Sequence, residues 1–167
     1  MMLFNQHKAS HGTLDEAVHM VETYFRHREL NPDDFKLQGS HESGWWIQEG
    51  SAEVYIIVQS GNEEVGTVLR ISSPLVYLPE NNREPLYRHL LELNNNLSSC
   101  ALSIYNDLVL VVSQRPTLGL CQEEMDELVW NAAYVADLLD NKLADEFGAK
   151  LYGAGAYQQT LAQKSPA

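Results

Sequence analysis

The stretch from Leu86 to Phe147 constrains the fold more than any other part of the chain. An amphipathic helix pattern, a tight hairpin centred on Asn106-Asp107 and a second, longer amphipathic helix pattern follow one another there without a linker. In the first helix Leu86, Leu90, Leu93 and Leu97 form an apolar seam with Leu91 beside it. Asn82 is placed to cap its start, and Asn94 to Asn96 with Ser98 favour its end, because Asn tolerates the left-handed conformation of a helix C-cap. A two-residue turn at Asn106-Asp107 pairs Tyr105 with Leu108, a register that puts Leu102, Ile104, Val109 and Val111 on one face. The other face then carries Ala101, Ser103, Tyr105, Leu108, Leu110 and Val112, too apolar a set to face water. Its cover comes either from the same chain or from another subunit, and both remain open at this point. Pro116 stops the strand. The third helix runs from about Gln122 to Phe147 on a stripe that includes Met125, Leu128, Val129, Ala132, Val135, Ala136, Leu139 and Leu143, with Gly148 at the C-cap position.

Upstream of this segment Thr13 and Glu16 have capping-box spacing, and Leu14, Ala17, Val18, Val21 and Phe25 recur at helical steps, so a first helix ends before Asn31-Pro32. From Trp45 the period changes to two. Three strands follow: Trp45 to Gln48, Ala52 to Gln59 with Val54, Ile56 and Val58 on one side, and a third in which Val65, Leu69, Ile71 and Leu75 share a phase. Pro74 and Pro79 argue against a central position near the end of that third strand. Adjacent in a strand, Trp45 and Trp46 point to opposite faces, so at most one fills the core and the other is a contact residue. The expected class is α+β in the order α-β-β-β-α-β-β-α, an antiparallel sheet packed with helices. Residues 1–12 read as a loose N-terminal arm, 13–148 as a single domain and 149–167 as a frayed or partner-dependent tail.

Charge narrows the partners. Acidic side chains number 23 against 11 Lys and Arg, a formal charge of −12, so phosphate backbones and anionic lipid surfaces are repelled and neither nucleic acid nor membrane is an expected partner. No apolar run approaches the roughly 20 residues that span a bilayer, and Asp15, Glu16, Glu22 and Glu29 interrupt the N-terminal region where a signal peptide would be apolar; a cytoplasmic protein is expected. Cys100 and Cys121 are the only cysteines and read as small core hydrophobes.

Chemistry is sparse. His7 and His11 have i,i+4 spacing but lack the adjacent Glu of a zinc-hydrolase motif, and His19, His27 and His89 fall on surface phases. The acids Glu123, Glu124, Asp126 and Glu127 sit in a helix's first turns, where they complement its macrodipole. Phosphate-binding loops, dinucleotide fingerprints and serine-hydrolase elbows are absent, so neither a catalytic residue nor a cofactor or metal ligand is assigned.

Several local segments resemble YbjN-like domains, which share the type III secretion chaperone-like fold. Trp46 to Val54 around Gly50-Ser51-Ala52 looks like the family's first hairpin, and Ile71 to Pro79 like its strand ending in a Pro-flanked apolar segment. Leu90 to Asn94, and Ala136-Asp137 through Phe147-Gly148, look like its second and third helix signatures, so the likeness spans roughly Thr13 to Gly148. The resemblance implies a small, acidic, commonly dimeric domain without catalytic residues, of a kind that in secretion chaperones holds extended client segments. The expectation is a non-enzymatic, chaperone-like or regulatory interaction module, a homodimer binding another polypeptide, with Trp45, Tyr105, Leu108, Leu110 and Val112 as candidate partner or dimer contacts. The alternative is a small-molecule-binding or hydrolytic site assembled from dispersed residues such as His41, Trp45, Tyr77 and Asp137.

Overall fold

A computed structural model describes residues 12–38, 43–61 and 66–153. Within them the chain forms α1 (Leu14–His27), a short 3-10 turn (Pro32–Phe35), β1 (Ser43–Glu49), β2 (Ala52–Gln59), β3 (Val68–Tyr77), α2 (Arg83–Asn94), β4 (Ala101–Tyr105), β5 (Leu108–Pro116) and α3 (Gln122–Phe147). The strands make one five-stranded antiparallel sheet in the order β1-β2-β3-β5-β4. The α+β class and the element order are those expected. His7, His11, His41 and Val65, most of the expected arm and residues 154–167 of the expected tail lie outside the described residues.

Local chemistry starts the helices where the sequence places them. The Thr13 hydroxyl accepts the Glu16 backbone N–H at 3.2 Å while the Glu16 carboxylate accepts those of Gly12 and Thr13 at 2.7 and 3.1 Å, satisfying donors that a helix start leaves orphaned. At the other end of α1, Arg28 pairs with Glu49 of β1 and Tyr24 donates to the same carboxylate at 3.0 Å, which ties the helix to the edge of the sheet. Helix α3 ends on Gly148 in the left-handed region (φ 65°), with the Ala149 N–H returning to Ala144 O at 3.1 Å.

The helices lie on one face of the sheet. Their buried residues, among them Val21 and Phe25 of α1, Leu86 and Leu90 of α2, and Met125, Val129, Ala136, Leu139 and Leu143 of α3, pack with Trp45, Val54, Ile56, Val58, Leu69, Ile71, Leu75, Val109 and Val111 of the strands. The hairpin register is as expected, with Tyr105 opposite Leu108 and Asn106 at φ 53°. Ile104 keeps the phase of Leu102 but is 40% exposed.

Three local expectations are corrected. Asn82 occupies the N-cap position of α2 in the left-handed region (φ 63°) and makes no side-chain cap; its backbone tolerance, rather than its amide, is what the turn uses. Cys121 is exposed at the start of α3 and Cys100 is half-buried beside the core, because both sit where the chain enters or leaves an element. Pro74 lies within β3, the middle strand of the sheet. A proline fits there because β2 pairs with β3 only as far as Ser72 and the β3–β5 register slips between Pro74 and Val76, so no ladder bond needs its missing N–H. The edge of β3 left open by β2 is taken by the chain beyond α3: Tyr77 N–H donates to Lys150 O at 2.8 Å, Tyr152 N–H donates to Leu75 O at 2.9 Å, and Val76 bridges Leu151.

Candidate functional site

Because side chains alternate along a strand, burying Trp45 with Ile47, Val54, Ile56 and Val58 forces Trp46, Glu53, Tyr55 and Ile57 onto the opposite face. Across the sheet, Trp46, Tyr55, Ser72, Val112 and Ala101 stand in one row of register partners; Tyr77, Leu108 and Tyr105 stand in another. A second apolar cluster results, with Tyr55, Leu108 and Leu110 buried and Leu37, Trp46, Tyr77, Tyr105, Val112 and Tyr152 packed around them. It contains no residue of α1, α2 or α3.

The structure therefore brings together four of the five expected contact residues. Leu108 and Leu110 are buried on this face, and Tyr105 and Val112 are half-buried beside them. Trp45 lies on the helix side with no exposed surface, and its neighbour Trp46 is the tryptophan of the second face. The other assembled site is not gathered: Tyr77 faces away from the helices, Trp45 is in the core, and Asp137 is exposed on α3 where it accepts a hydrogen bond from Ser51. Among the described residues no group of three or more His, Cys, Asp or Glu side chains is arranged to hold a metal ion.

Sequence reasoning missed Tyr55 and Tyr152, and named Tyr77 only for the alternative small-molecule site. Tyr55 was accessible in principle, since placing Val54, Ile56 and Val58 inside leaves Tyr55 and Ile57 as apolar residues on the other phase. Tyr152 lies beyond the C-cap of α3, where no periodic signal reaches. These tyrosines carry the polar part of the site. Tyr55 donates to the Glu53 carboxylate at 2.6 Å, and its oxygen lies 3.3 Å from the Tyr152 hydroxyl. Burial, reinforced by the Glu53 and Tyr152 hydrogen bonds, pushes the Tyr55 phenol well above its ordinary range, so it stays protonated and remains a donor. Glu53 is only 6% exposed, and the Ser72 hydroxyl in the same row is buried without a hydrogen-bond partner.

The two sheet edges differ. On β4 the Asn94 side chain acts as a short mock strand, accepting the Leu102 N–H at 2.6 Å and donating to the Leu102 carbonyl at 3.1 Å. On β1 a bridge from Lys36 to Trp45 and a bond from Leu37 N–H to Gly44 O at 2.9 Å cover only the first part of the strand. From Trp46 to Glu49 no strand lies beside β1 among the described residues. The two-residue turn that closes the β1–β2 hairpin makes Glu49 and Ala52 a bonded pair, so the backbone groups of Trp46 and Gln48 point outward.

Helices on one face of an antiparallel sheet, an aromatic opposite face and one partly open edge form an α+β domain with the fold of type III secretion chaperones. The chain belongs to the family described as "T3SS (YopN, CesT) and YbjN peptide-binding chaperone 1", whose model matches residues 30–153. Among solved structures, the fold is similar to a chain of the ExsC–ExsE complex, with 14% identity, a TM-score of 0.58, and coverage of 78% of this chain and 95% of that one. It is also similar to a chain of the heterodimeric ExoU–SpcU complex from the type III secretion system of Pseudomonas aeruginosa, with 13% identity, a TM-score of 0.53, and coverage of 72% and 95%. No curated protein matches the sequence. No helix among the described residues is long and apolar enough to cross a membrane.

Proposed function

We propose that this protein is a non-enzymatic cytoplasmic chaperone that holds an extended segment of another polypeptide, and that it works as a homodimer. The observation that carries this reading is the stretch of β1 from Trp46 to Glu49 that no strand borders among the described residues, beside an aromatic face that holds no residue of α1, α2 or α3. An added strand gains main-chain hydrogen bonds from Gln48, and its side chains alternate onto the face that carries the half-buried Trp46. Strand addition at β4 is opposed by Asn94, which already occupies the Leu102 backbone. Family membership supports the same chemistry, and the ExsC–ExsE and ExoU–SpcU neighbours are themselves parts of two-protein complexes.

Self-association is assigned to a different surface. Tyr87 and Leu91 of α2 and Ile104 of β4 are exposed, at 37, 71 and 40%. The α2 helix is balanced in charge, with Arg83 and Arg88 against Glu84 and Glu92, so two copies meet there without net repulsion.

The test is Gln48→Pro. Gln48 is exposed on an edge strand and its N–H points away from β2, so proline removes the donor offered to a partner and leaves the β1–β2 ladder intact. The wild-type protein purified from its native cell is expected to carry a reproducible polypeptide by mass spectrometry, and Gln48→Pro is expected to lose it at an unchanged melting temperature. A strictly monomeric wild-type chain without a reproducible partner would overturn the reading.

A further inference from the structure

Helix α3 has two apolar faces, and the core uses one. Trp130, Tyr134 and Leu138, spaced i, i+4, i+8, remain 61, 54 and 44% exposed, while Met125, Val129, Ala132, Ala136 and Leu143 are buried on the opposite side. The Trp130 and Tyr134 rings are stacked with centroids 5.2 Å apart and planes 7° apart. Isolated exposed hydrophobes are ordinary, but a contiguous row of three that includes a tryptophan is not. Its setting is strongly acidic. Between Gln122 and Phe147 stand Glu123, Glu124, Asp126, Glu127, Asp137, Asp140, Asp145 and Glu146, with Lys142 as the single cation. Among the described residues, Glu124 is the one of these acids with an ion-pair partner, Arg115. Helical spacing places Glu127 one turn before Trp130, Asp137 one turn after Tyr134, and Asp145 two turns after Leu138, so carboxylates flank the ridge along its length.

We propose that this ridge is a second docking surface, separate from the β1 edge, and that its occupant is an amphipathic helix of another polypeptide whose apolar face is flanked by Lys or Arg. The backbone of α3 is satisfied internally and offers no bonds to an extended strand. A helix is likewise satisfied internally, and its side-chain rows interdigitate with an i, i+4 ridge. The charge argues against a second copy: it would set the same eight acids opposite these, whereas basic flanks complement them.

The probe is a fluorescein-labelled 18-residue helical peptide of Leu and Lys with one continuous apolar face. It is compared, on the full chain by fluorescence anisotropy, with a scrambled peptide of identical composition and with a Glu-for-Lys version. The Lys peptide is expected to bind, and Trp130→Ala to weaken it by about tenfold or more without changing the melting temperature or the net charge, as expected for an aromatic anchor. Leu138→Ser gives a parallel reading should Trp130→Ala fail to fold. Equal binding of the scrambled or Glu peptide, or unchanged affinity in both variants, would overturn the proposal. Conversion of an oligomer to monomer by Trp130→Ala would identify a second copy as the occupant and overturn it too. So would binding by a chain ending at residue 153 but not by the full chain, which would assign the ridge to the protein's own last residues.

Discussion

The two tryptophans show how one residue step separates core from surface. Trp45 is fully buried, yet its indole Nε1 has no hydrogen-bond partner, so part of the gain from burying the ring is offset by an unpaired donor that costs about 1–3 kcal/mol. Trp45→Ala is expected to lower unfolding free energy by about 3–5 kcal/mol in urea titrations, with Trp45→Phe costing clearly less because both remove the orphaned N–H but Phe keeps most of the buried ring. Equal losses in the two variants would contradict close packing of the ring at this position. That the pair splits between faces was legible from strand alternation alone. Which ring goes inside was legible only through its phase-mates: Ile47 shares the phase of Trp45, and polar Gln48 that of Trp46. Tyr55 supplies a second test at this scale. Its phenol is held protonated in the folded chain, so unfolded chains ionise first as pH rises past the ordinary tyrosine value near 10. The stability it contributes is present below that pH and is lost as pH climbs toward the folded value. Melting temperature is expected to fall more steeply above pH 10 in the wild type than in Tyr55→Phe, and parallel alkaline limbs would contradict the assignment.

At the scale of elements, most of what depends on neighbouring residues was legible, with the Asn82 cap as an exception, and what depends on a distant segment was not. The capping box of α1, the limits of β2 and α3, and the Asn106-Asp107 register each depend on contacts within a few residues or on a single periodic stripe. The position of β3 depends on Lys150 to Tyr152, which fill the edge that β2 abandons and so make room for Pro74 in the middle of the sheet; nothing near Pro74 in sequence announces this. The second face was legible in part. Its apolar character at Leu108, Leu110 and Val112 follows from the turn register, but their burial depends on Tyr55, Tyr77 and Tyr152 arriving from other elements. Leu110 has no exposed surface, so Leu110→Glu is expected to abolish cooperative unfolding rather than only to weaken association, because a carboxylate has neither water nor a cation there. Leu139, on the other face and also buried, is expected to cost about 2–5 kcal/mol on truncation to Ala. A folded Leu110→Glu monomer with an unchanged melting temperature would mean that the second face is covered only in an assembly.

At the scale of the molecule, charge and exposure support the three contacts proposed above on three different surfaces. The total of −12 argues against a polyanionic partner but says nothing about where the acids sit; the sequence concentrates them in α3 and balances them in α2, and the structure puts those two helices on the same face of the sheet. An acidic surface with an exposed apolar ridge suits a basic partner; a neutral one with exposed Tyr87, Leu91 and Ile104 suits a copy of itself; an open strand edge suits an extended chain. Leu91→Glu separates these roles. Leu91 is 71% exposed, so the substitution leaves the fold of the single chain alone while setting two new carboxylates against each other across any two-fold contact built on α2. Light scattering is expected to move from twice 18.9 kDa for the wild type to 18.9 kDa for the variant, with the far-ultraviolet circular dichroism unchanged. High salt is expected to restore little of the lost association, because the introduced charges would be desolvated in the contact and screening acts mainly on exposed ones. A dimer that survives Leu91→Glu would place self-association elsewhere, and the half-buried Tyr105 and Val112 on the opposite side of the β4–β5 hairpin would then be the surface to vary next.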